Sequence, residues 1–270
     1  MSREDLIFDV GMHLGEDTDF YLKKGFRVVA FEANPDFVEH CRSRFADAIA
    51  ANRLTIVSGA VAPGVEATLP FYVNTVDTTW GTLNPDWVAR NDRRGAPSRQ
   101  IKVERVDLGE QFRRYGVPYY LKIDIEGTDT AAAEALRALE DRPRFISIET
   151  EINRFSRLKK EIELLCSLGY RKFKPVQQQG IKNRRVVLNS RDGTSFEHVF
   201  EAGASGPFGD DLPGEWLDEK ECRRAYCSIF AKYWIAGHLS PLYRLGWHNA
   251  RRRLFPYFGI PGWHDLHASL

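Results

Sequence analysis

Short apolar runs alternate with amphipathic stretches along much of this chain. Leu6-Ile7-Phe8-Asp9-Val10 is mostly apolar and stops at a glycine, so it reads as a strand buried on both faces. Helical spacing follows from Glu16 to Lys24, with Lys23 and Lys24 in the last turn and Gly25 placed to end it. Arg27 to Phe31 is a second strand, ending at Glu32. Asn34-Pro35 then opens a helix, as N-cap and first helical residue, and Phe37, Cys41 and Phe45 recur on one face of it. Leu54 to Val57 is a third strand. This strand–helix alternation predicts a parallel sheet with crossover helices.

Pro63-Gly64 marks a turn. Thr68 to Val73 and Gln100 to Val106 read as extra strands around an irregular loop holding Trp80, Trp87 and a polar run from Asn91 to Arg94. Alternation then resumes: helix Leu108 to Tyr115 closed by Gly116, strand Tyr119 to Ile125, helix Thr130 to Leu139, strand Phe145 to Glu149, helix Leu158 to Leu168, strand Tyr170 to Phe173. Past about Pro175 the pattern weakens. That point divides the chain into a nucleotide-binding α/β domain over 1–175 and a C-terminal extension over 176–270. A helix is expected from Asp218 to Tyr233, and the last stretch is aromatic and basic.

Composition narrows the class. Hydrophobic residues make up 43% of the 270-residue chain and charged residues 28%, enough apolar material for a core without metal or disulfide staples. A net charge of +1 gives no overall bias toward nucleic acid. Cys41, Cys166, Cys222 and Cys227 form no C-x-x-C pair and read as free thiols. The residues after Met1 run straight into a strand and no apolar run is bilayer-length, so a cytosolic protein without a membrane span is expected.

The chemistry concentrates at Asp9-Val10-Gly11-Met12-His13-Leu14-Gly15, where an α/β fold places its cofactor loop. A dinucleotide fingerprint begun at Gly11 needs glycine at 13 and 16, and this chain has His13 and Glu16. Glu16 and Asp17 also put negative charge at the helix N-terminus that a pyrophosphate would occupy. S-adenosylmethionine carries no phosphate and is cationic at its sulfonium and amino groups, so a loop flanked by Asp9 and Asp17 suits it better than NAD. Thr18 offers a hydroxyl or backbone group to the donor's carboxylate. Glu32, at the end of the second strand, is placed to accept both ribose hydroxyls, and Ala33 helps to shape the nucleoside pocket.

A second constellation lies at Leu121-Lys122-Ile123-Asp124-Ile125-Glu126-Gly127. Lys122, Asp124 and Glu126 alternate, so they share one face of the expected strand or cluster at its carboxyl end, where open α/β sheets bind ligands. Methyl transfer from such a cofactor is an in-line displacement with a good leaving group, so positioning supplies much of the rate, and an acceptor that carries a proton must still lose it. Asp124 and Glu126 are the candidate groups at the acceptor, Asp124 also for the donor's amino group, with Lys122 pairing either acid. Asp124, Glu126, Glu149 and Glu151 are oxygen donors of the type a hard cation accepts. Acids at strand ends are more often unmetallated, and no metal is assigned.

These three motifs, Phe8 to Gly15, Val28-Val-Ala-Phe-Glu-Ala-Asn-Pro35 and Leu121 to Gly127, resemble the FkbM-type methyltransferase family over roughly Leu6 to Glu151. Met12-His13 stands where the family pattern has Ala-Asn. The resemblance implies a Rossmann-like class I methyltransferase fold, a mostly parallel seven-stranded sheet with helices on both faces and its last strand antiparallel. It implies S-adenosylmethionine as donor and a hydroxyl oxygen, on a small or carbohydrate-like molecule, as acceptor. Gly11, Gly15 and Glu32 match the family's cofactor positions, His13 takes the place of the family's asparagine among the cofactor-binding candidates, and Ser58-Gly59-Ala60 falls on the part that lies near adenine.

Outside the resemblance, Gly203 to Gly209 reads as an acceptor loop or a surface loop, and Arg251 to Arg253 as a solvated basic run. His264 and His267 are candidates for a base or lid folded over the pocket. The aromatic tail packs on its own core, on a second subunit in a homodimer, or on a glycan-like acceptor. Two other functions stay open at this point: a nicotinamide-dependent oxidoreductase and a cofactor-binding module without turnover.

Overall fold

The computed structural model describes residues 2–125, 127–150, 155–236 and 263–270. In chain order its elements are β1 (Ser2–Val10), α1 (Glu16–Lys23), β2 (Arg27–Glu32), α2 (Pro35–Arg44), α3 (Ala46–Ala50), β3 (Leu54–Ser58), β4 (Ala60–Val61) and β5 (Thr68–Asn74). Then come α4 (Pro85–Asp92), β6 (Ser98–Val106), α5 (Leu108–Tyr115), β7 (Val117–Ile123), α6 (Asp129–Glu134), β8 (Phe145–Thr150) and α7 (Phe155–Ser167). The last are β9 (Lys172–Gln177), β10 (Arg185–Asn189), β11 (Ser195–Val199), α8 (Glu219–Ala236) and β12 (His264–Ser269). Among the described residues seven of these strands belong to the main sheet, as a Rossmann-like α/β fold requires. The chain divides into two compact units, Met1–Ile148 with Ile181–Gly206, and Glu149–Gly180 with Pro207–Leu270.

The first unit holds the strand order β3-β2-β1-β7-β8, with every neighbouring pair parallel. Leu6, Ile7, Phe8 and Val10 are all at most 1% exposed, which is why β1 reads as one apolar run rather than an alternating one. Phe8 stacks on Phe112 of α5, with ring centroids 5.2 Å apart. From β1 the chain steps outward through β2 to β3, then returns to the other side of β1 for β7 and β8. The order therefore reverses between β1 and β7, and open α/β sheets bind ligands at such a switch point, beyond the strands' carboxyl ends.

Several local expectations are refined. The buried stripe of α2 is Val38, Cys41 and Phe45, with Phe37 only half-buried. Strand β7 stops at Ile123, so Asp124 and Ile125 lie beyond it instead of inside it. Between β5 and β6 the expected irregular loop contains α4. Asn84 caps that helix by accepting from the Asp86 N–H, and Pro85 fills its first turn, as Asn34 and Pro35 do for α2. Beside it β4, β6 and β5 form a three-stranded sheet.

Past Pro175 the first unit gains a part that sequence periodicity does not reveal. Strands β10 and β11 form an antiparallel hairpin. Its side chains close over α1, where the Phe20 ring meets His198 at 5.1 Å, Phe200 at 5.0 Å and Phe196 at 6.3 Å. In the loop that follows, Ala204, Ser205 and Gly206 are buried.

In the second unit β12 pairs antiparallel with β9, from His264 opposite Gln177 to Ser269 opposite Lys172. An antiparallel final strand accords with the family pattern, although the sequence reading ended its strands at Phe173. His-Asp-Leu-His-Ala-Ser has no β-branched residue and no clean alternation to announce it. The structure builds His264 and His267 into this strand, not onto a free tail. Burial pushes the His264 ring down to about 4 and His267 to about 3, so both are neutral at pH 7. Arg251 to Arg253 lie outside the described residues.

The hairpin's packing gives a direct test. Phe20→Ala removes a fully buried ring from the α1–hairpin contact and is expected to cost about 3–5 kcal/mol in urea unfolding. A loss under about 0.5 kcal/mol, the scale of a surface change, would show that the hairpin does not brace α1.

Candidate active site

The cofactor loop leaves β1 at Val10 and is shaped by the protein's own backbone. Gly11 has φ +91°, and a Cβ there would lie 1.9 Å from the Asp124 carbonyl oxygen. Only glycine allows the ends of β1 and β7 to approach this closely. The Gly11 and Met12 N–H groups both donate to the Phe31 carbonyl, which ties the loop to β2. Gly15, with φ +88°, is the N-cap residue of α1, and a Cβ there would meet the Phe45 ring at 2.3 Å. Both glycines thus have packing reasons independent of any ligand.

Glu32 ends β2 with its carboxylate held by backbone donors. Its Oε1 accepts from the Asn34 N–H at 2.7 Å and its Oε2 from the His13 N–H at 2.8 Å. Burial pushes the carboxyl up to about 7, against the downward pull of those N–H groups. His13 itself sits at φ +52°, with Nδ1 2.9 Å from Glu16 Oε1 and Nε2 3.1 Å from Thr78 Oγ1. Burial raises the Glu16 carboxyl, but the His13 ring, its own backbone N–H and Lys122 together hold it below its usual range.

Ala33 and Ala60 share a small apolar cluster with Phe71 and Val103. Ser58 is exposed at the end of β3, and the Gly59 N–H donates to the Glu32 carbonyl at 2.8 Å. The residues read as the adenine side therefore border the Glu32 end of the loop.

Behind the loop lies a buried charge cluster. Lys122 Nζ is 3.2 Å from Asp17, 3.5 Å from Asp9 and 3.6 Å from Asp124, and it donates to the Gly11 carbonyl at 3.3 Å. Burial alone would favour a neutral amine, but the carboxylates of Asp9, Asp17 and Asp124 hold Lys122 well above the usual lysine range. Burial raises Asp9 to about 6 in spite of Lys122, and raises Asp17 as well. Thr18 Oγ1 donates to Asp9 at 2.6 Å, and Asp17 accepts from the Ser205 N–H at 2.9 Å. By sequence Asp9, Asp17 and Thr18 are candidates for contacts to the donor. The structure points their polar atoms at one another, at Lys122 and at Ser205.

Asp124 is the exception in this cluster, with a third of its side chain exposed. It begins the turn after β7, which is tied by a residue the sequence reading passed over. Asp129, buried at the start of α6, accepts from the Ile125 N–H at 3.0 Å and the Gly127 N–H at 3.1 Å. Burial raises this carboxyl to about 6. The aspartate stands one residue ahead of the helix expected from Thr130, where an acid at a helix start is the available signal. Glu126 and Glu151 lie outside the described residues. Among the described residues no group of three His, Cys, Asp or Glu side chains is arranged to hold a metal, and no helix is long and apolar enough to cross a membrane.

The loop over 201–206 was also missed as part of the site. Besides the Ser205–Asp17 bond, Glu201 pairs with Arg44 at 2.6 Å, and Arg44 also donates to the Leu14 carbonyl at 3.0 Å. No local sequence pattern marks a contact spanning 188 residues.

Comparison with known proteins adds a family. The family model described as the Methyltransferase FkbM domain matches residues 9–172. Among curated proteins, a 70-residue stretch is 37% identical to a probable ribosomal RNA small subunit methyltransferase A of Haloarcula marismortui, 26% of this chain and 24% of that protein's length. Similar solved structures include a methyltransferase FkbM from Methylobacillus flagellatus KT, with 17% identity and a TM-score of 0.42 over 66% of this chain and 40% of that one. Another is an O-methyltransferase from Bacillus cereus in complex with SAH, with 14% identity and a TM-score of 0.36 over 72% and 71%.

The charge cluster predicts an asymmetric mutational response. Lys122→Met leaves Asp9 and Asp17 buried without their ammonium partner and is expected to cost about 3–5 kcal/mol in urea unfolding at pH 7.5. Adding Asp9→Asn and Asp17→Asn should return at least about 2 kcal/mol of that loss. A single-variant loss below about 1 kcal/mol, typical of a surface pair, would rule out the cluster as a buried constraint.

Proposed function

Because the chain belongs to the FkbM methyltransferase family, we propose that it transfers a methyl group from S-adenosylmethionine to a hydroxyl oxygen of a small or carbohydrate-like acceptor. The observation that carries this reading is Glu32. Its carboxylate is held by backbone N–H groups, Oε1 by Asn34 and Oε2 by His13 with Ala33 contributing, and its remaining lone pairs suit the two hydroxyls of a vicinal diol. A nucleoside with a cationic amino-acid arm fits the remaining groups. Ala33, Ala60 and Ser58 border the base. Asp124, at the other end of the loop, faces the ammonium group, oriented by Lys122.

A phosphate-bearing cofactor fits less well. Glu16 and Asp17 stand in the first turn of α1, and the Lys122 ammonium is already matched by three carboxylates. When bound, the donor supplies a methyl group on a sulfonium that leaves as a neutral thioether. The chain's task is alignment: Glu32 and Asp124 anchor the two ends of the donor, and Gly11 lets their strands close up. Asp9, Asp17, Thr18 and Lys122 form the rigid wall behind it. We assign removal of the acceptor's proton to Glu126, on its sequence position two residues beyond Asp124.

Calorimetry at pH 8 is expected to detect S-adenosylhomocysteine binding and no NADH binding. The reverse result would sink the donor assignment in favour of an oxidoreductase. Ribose hydroxyls donate to the ionised Glu32 carboxylate, so affinity is highest above its titration near pH 7 and falls below it. From that value, binding should be about tenfold tighter at pH 8 than at pH 6, and Glu32→Gln should abolish the step. Labelled donor incubated with a panel of glycans and small alcohols should yield an alkali-stable methyl ether. Label found only on nitrogen or carbon would refute oxygen as the target.

A further inference from the structure

Three non-glycine residues among those described have positive φ: His13, Asn52 and Asn183. Asparagine and histidine are both enriched there among non-glycine residues, yet the left-handed backbone still costs free energy in an L-residue. His13 therefore needs something to hold it there. Three separate elements converge on its ring. Glu16, from α1, binds Nδ1 at 2.9 Å, and its carboxylate is only 6% exposed. Thr78, in the 3₁₀ turn Thr78–Trp80 between β5 and α4, binds Nε2 at 3.1 Å. The Phe37 ring from α2 meets it edge-on at 4.9 Å.

The consequence of this pinned turn appears at the backbone. The His13 N–H points at Glu32 Oε2, opposite the Asn34 N–H on Oε1. Two donors at opposite corners fix the plane of the carboxylate, and with it the direction of the free lone pairs. We infer that His13 is a positioning residue for Glu32, its doubly pinned ring holding the left-handed turn whose N–H aims the carboxylate at the donor's ribose. The ribose role of Glu32 rests on the function proposed above. The positioning of Glu32 is measurable without any donor.

The measurement is a carboxyl ¹³C NMR titration of the free protein, with the Glu32 signal assigned by its loss in Glu32→Gln. The charged or titratable neighbours are His13 on the loop, Glu16 on α1 and Cys41 on α2. Glu16→Ala is the decisive variant because two effects have opposite signs. Removing a nearby negative charge would by itself lower the Glu32 midpoint. Releasing the His13 ring weakens a donor to the carboxylate and raises it. The expected result is a rise of about half a pH unit or more. Thr78→Val, which removes only the outer pin at an exposed position, should give a smaller rise in the same direction. His13→Ala should raise the midpoint too, and His13→Asn should restore it toward the wild-type value. At pH 8 the Glu16→Ala protein should bind S-adenosylhomocysteine about fivefold more weakly. An unchanged or lowered midpoint in both Glu16→Ala and Thr78→Val would overturn the inference. A raised midpoint in a protein that binds no S-adenosylhomocysteine would uphold the positioning and overturn the donor reading instead.

Discussion

One buried ammonium group organises the first unit of this protein. Lys122 stands near the carboxyl end of β7, within 3.6 Å of carboxylates from β1, α1 and the turn after its own strand. A charge in such a place is tolerable only when its partners are fixed, and fixing them sets the geometry of everything nearby. Asp9 is held by Thr18, Asp17 by the Ser205 N–H, and the Gly11 carbonyl by Lys122 itself. The cofactor loop is thereby tied to β7 from below, while the close approach of Gly11 to Asp124 ties it from the side.

This arrangement divides the acids of the site into two kinds. Asp9 and Asp17 answer Lys122 and face inward. Glu32 and Asp124 stand at the two ends of the loop, one held by backbone N–H groups and the other partly open to solvent. In sequence Asp9 and Asp17 flank the glycine loop while Glu32 and Asp124 come at strand ends, and residue type does not separate the four. Burial and partner geometry do.

The parallel core, the glycine loop and the Asn-Pro helix start were legible because each depends on neighbours in sequence. Apolar runs declare buried strands, and Asn34-Pro35 fixes its own helix. The same Asn-Pro signature stood at Asn84-Pro85, yet the adjoining tryptophans and polar run masked the helix period there. Glu32 was legible as an acid at a strand end, but the strained turn at His13 that supplies one of its donors was not. Strand β12 and the Ser205–Asp17 bond were beyond reach, since one lacks β-forming side chains and the other joins residues far apart in the chain. Long-range backbone contacts leave no residue-type signature to read.

The return of residues 181–206 to the first unit also bears on how the protein is made. A nascent chain that has emerged through residue 172 already carries every residue matched by the family model. It still lacks the Phe200 ring that covers Phe20 and the amide that answers Asp17. On the ribosome, the unit bearing the cofactor loop is complete only after some thirty further residues have been added. Until then Asp17 shares Lys122 with Asp9 but lacks its Ser205 donor, so the unit bearing the cofactor loop waits on chain made after the family-matched residues.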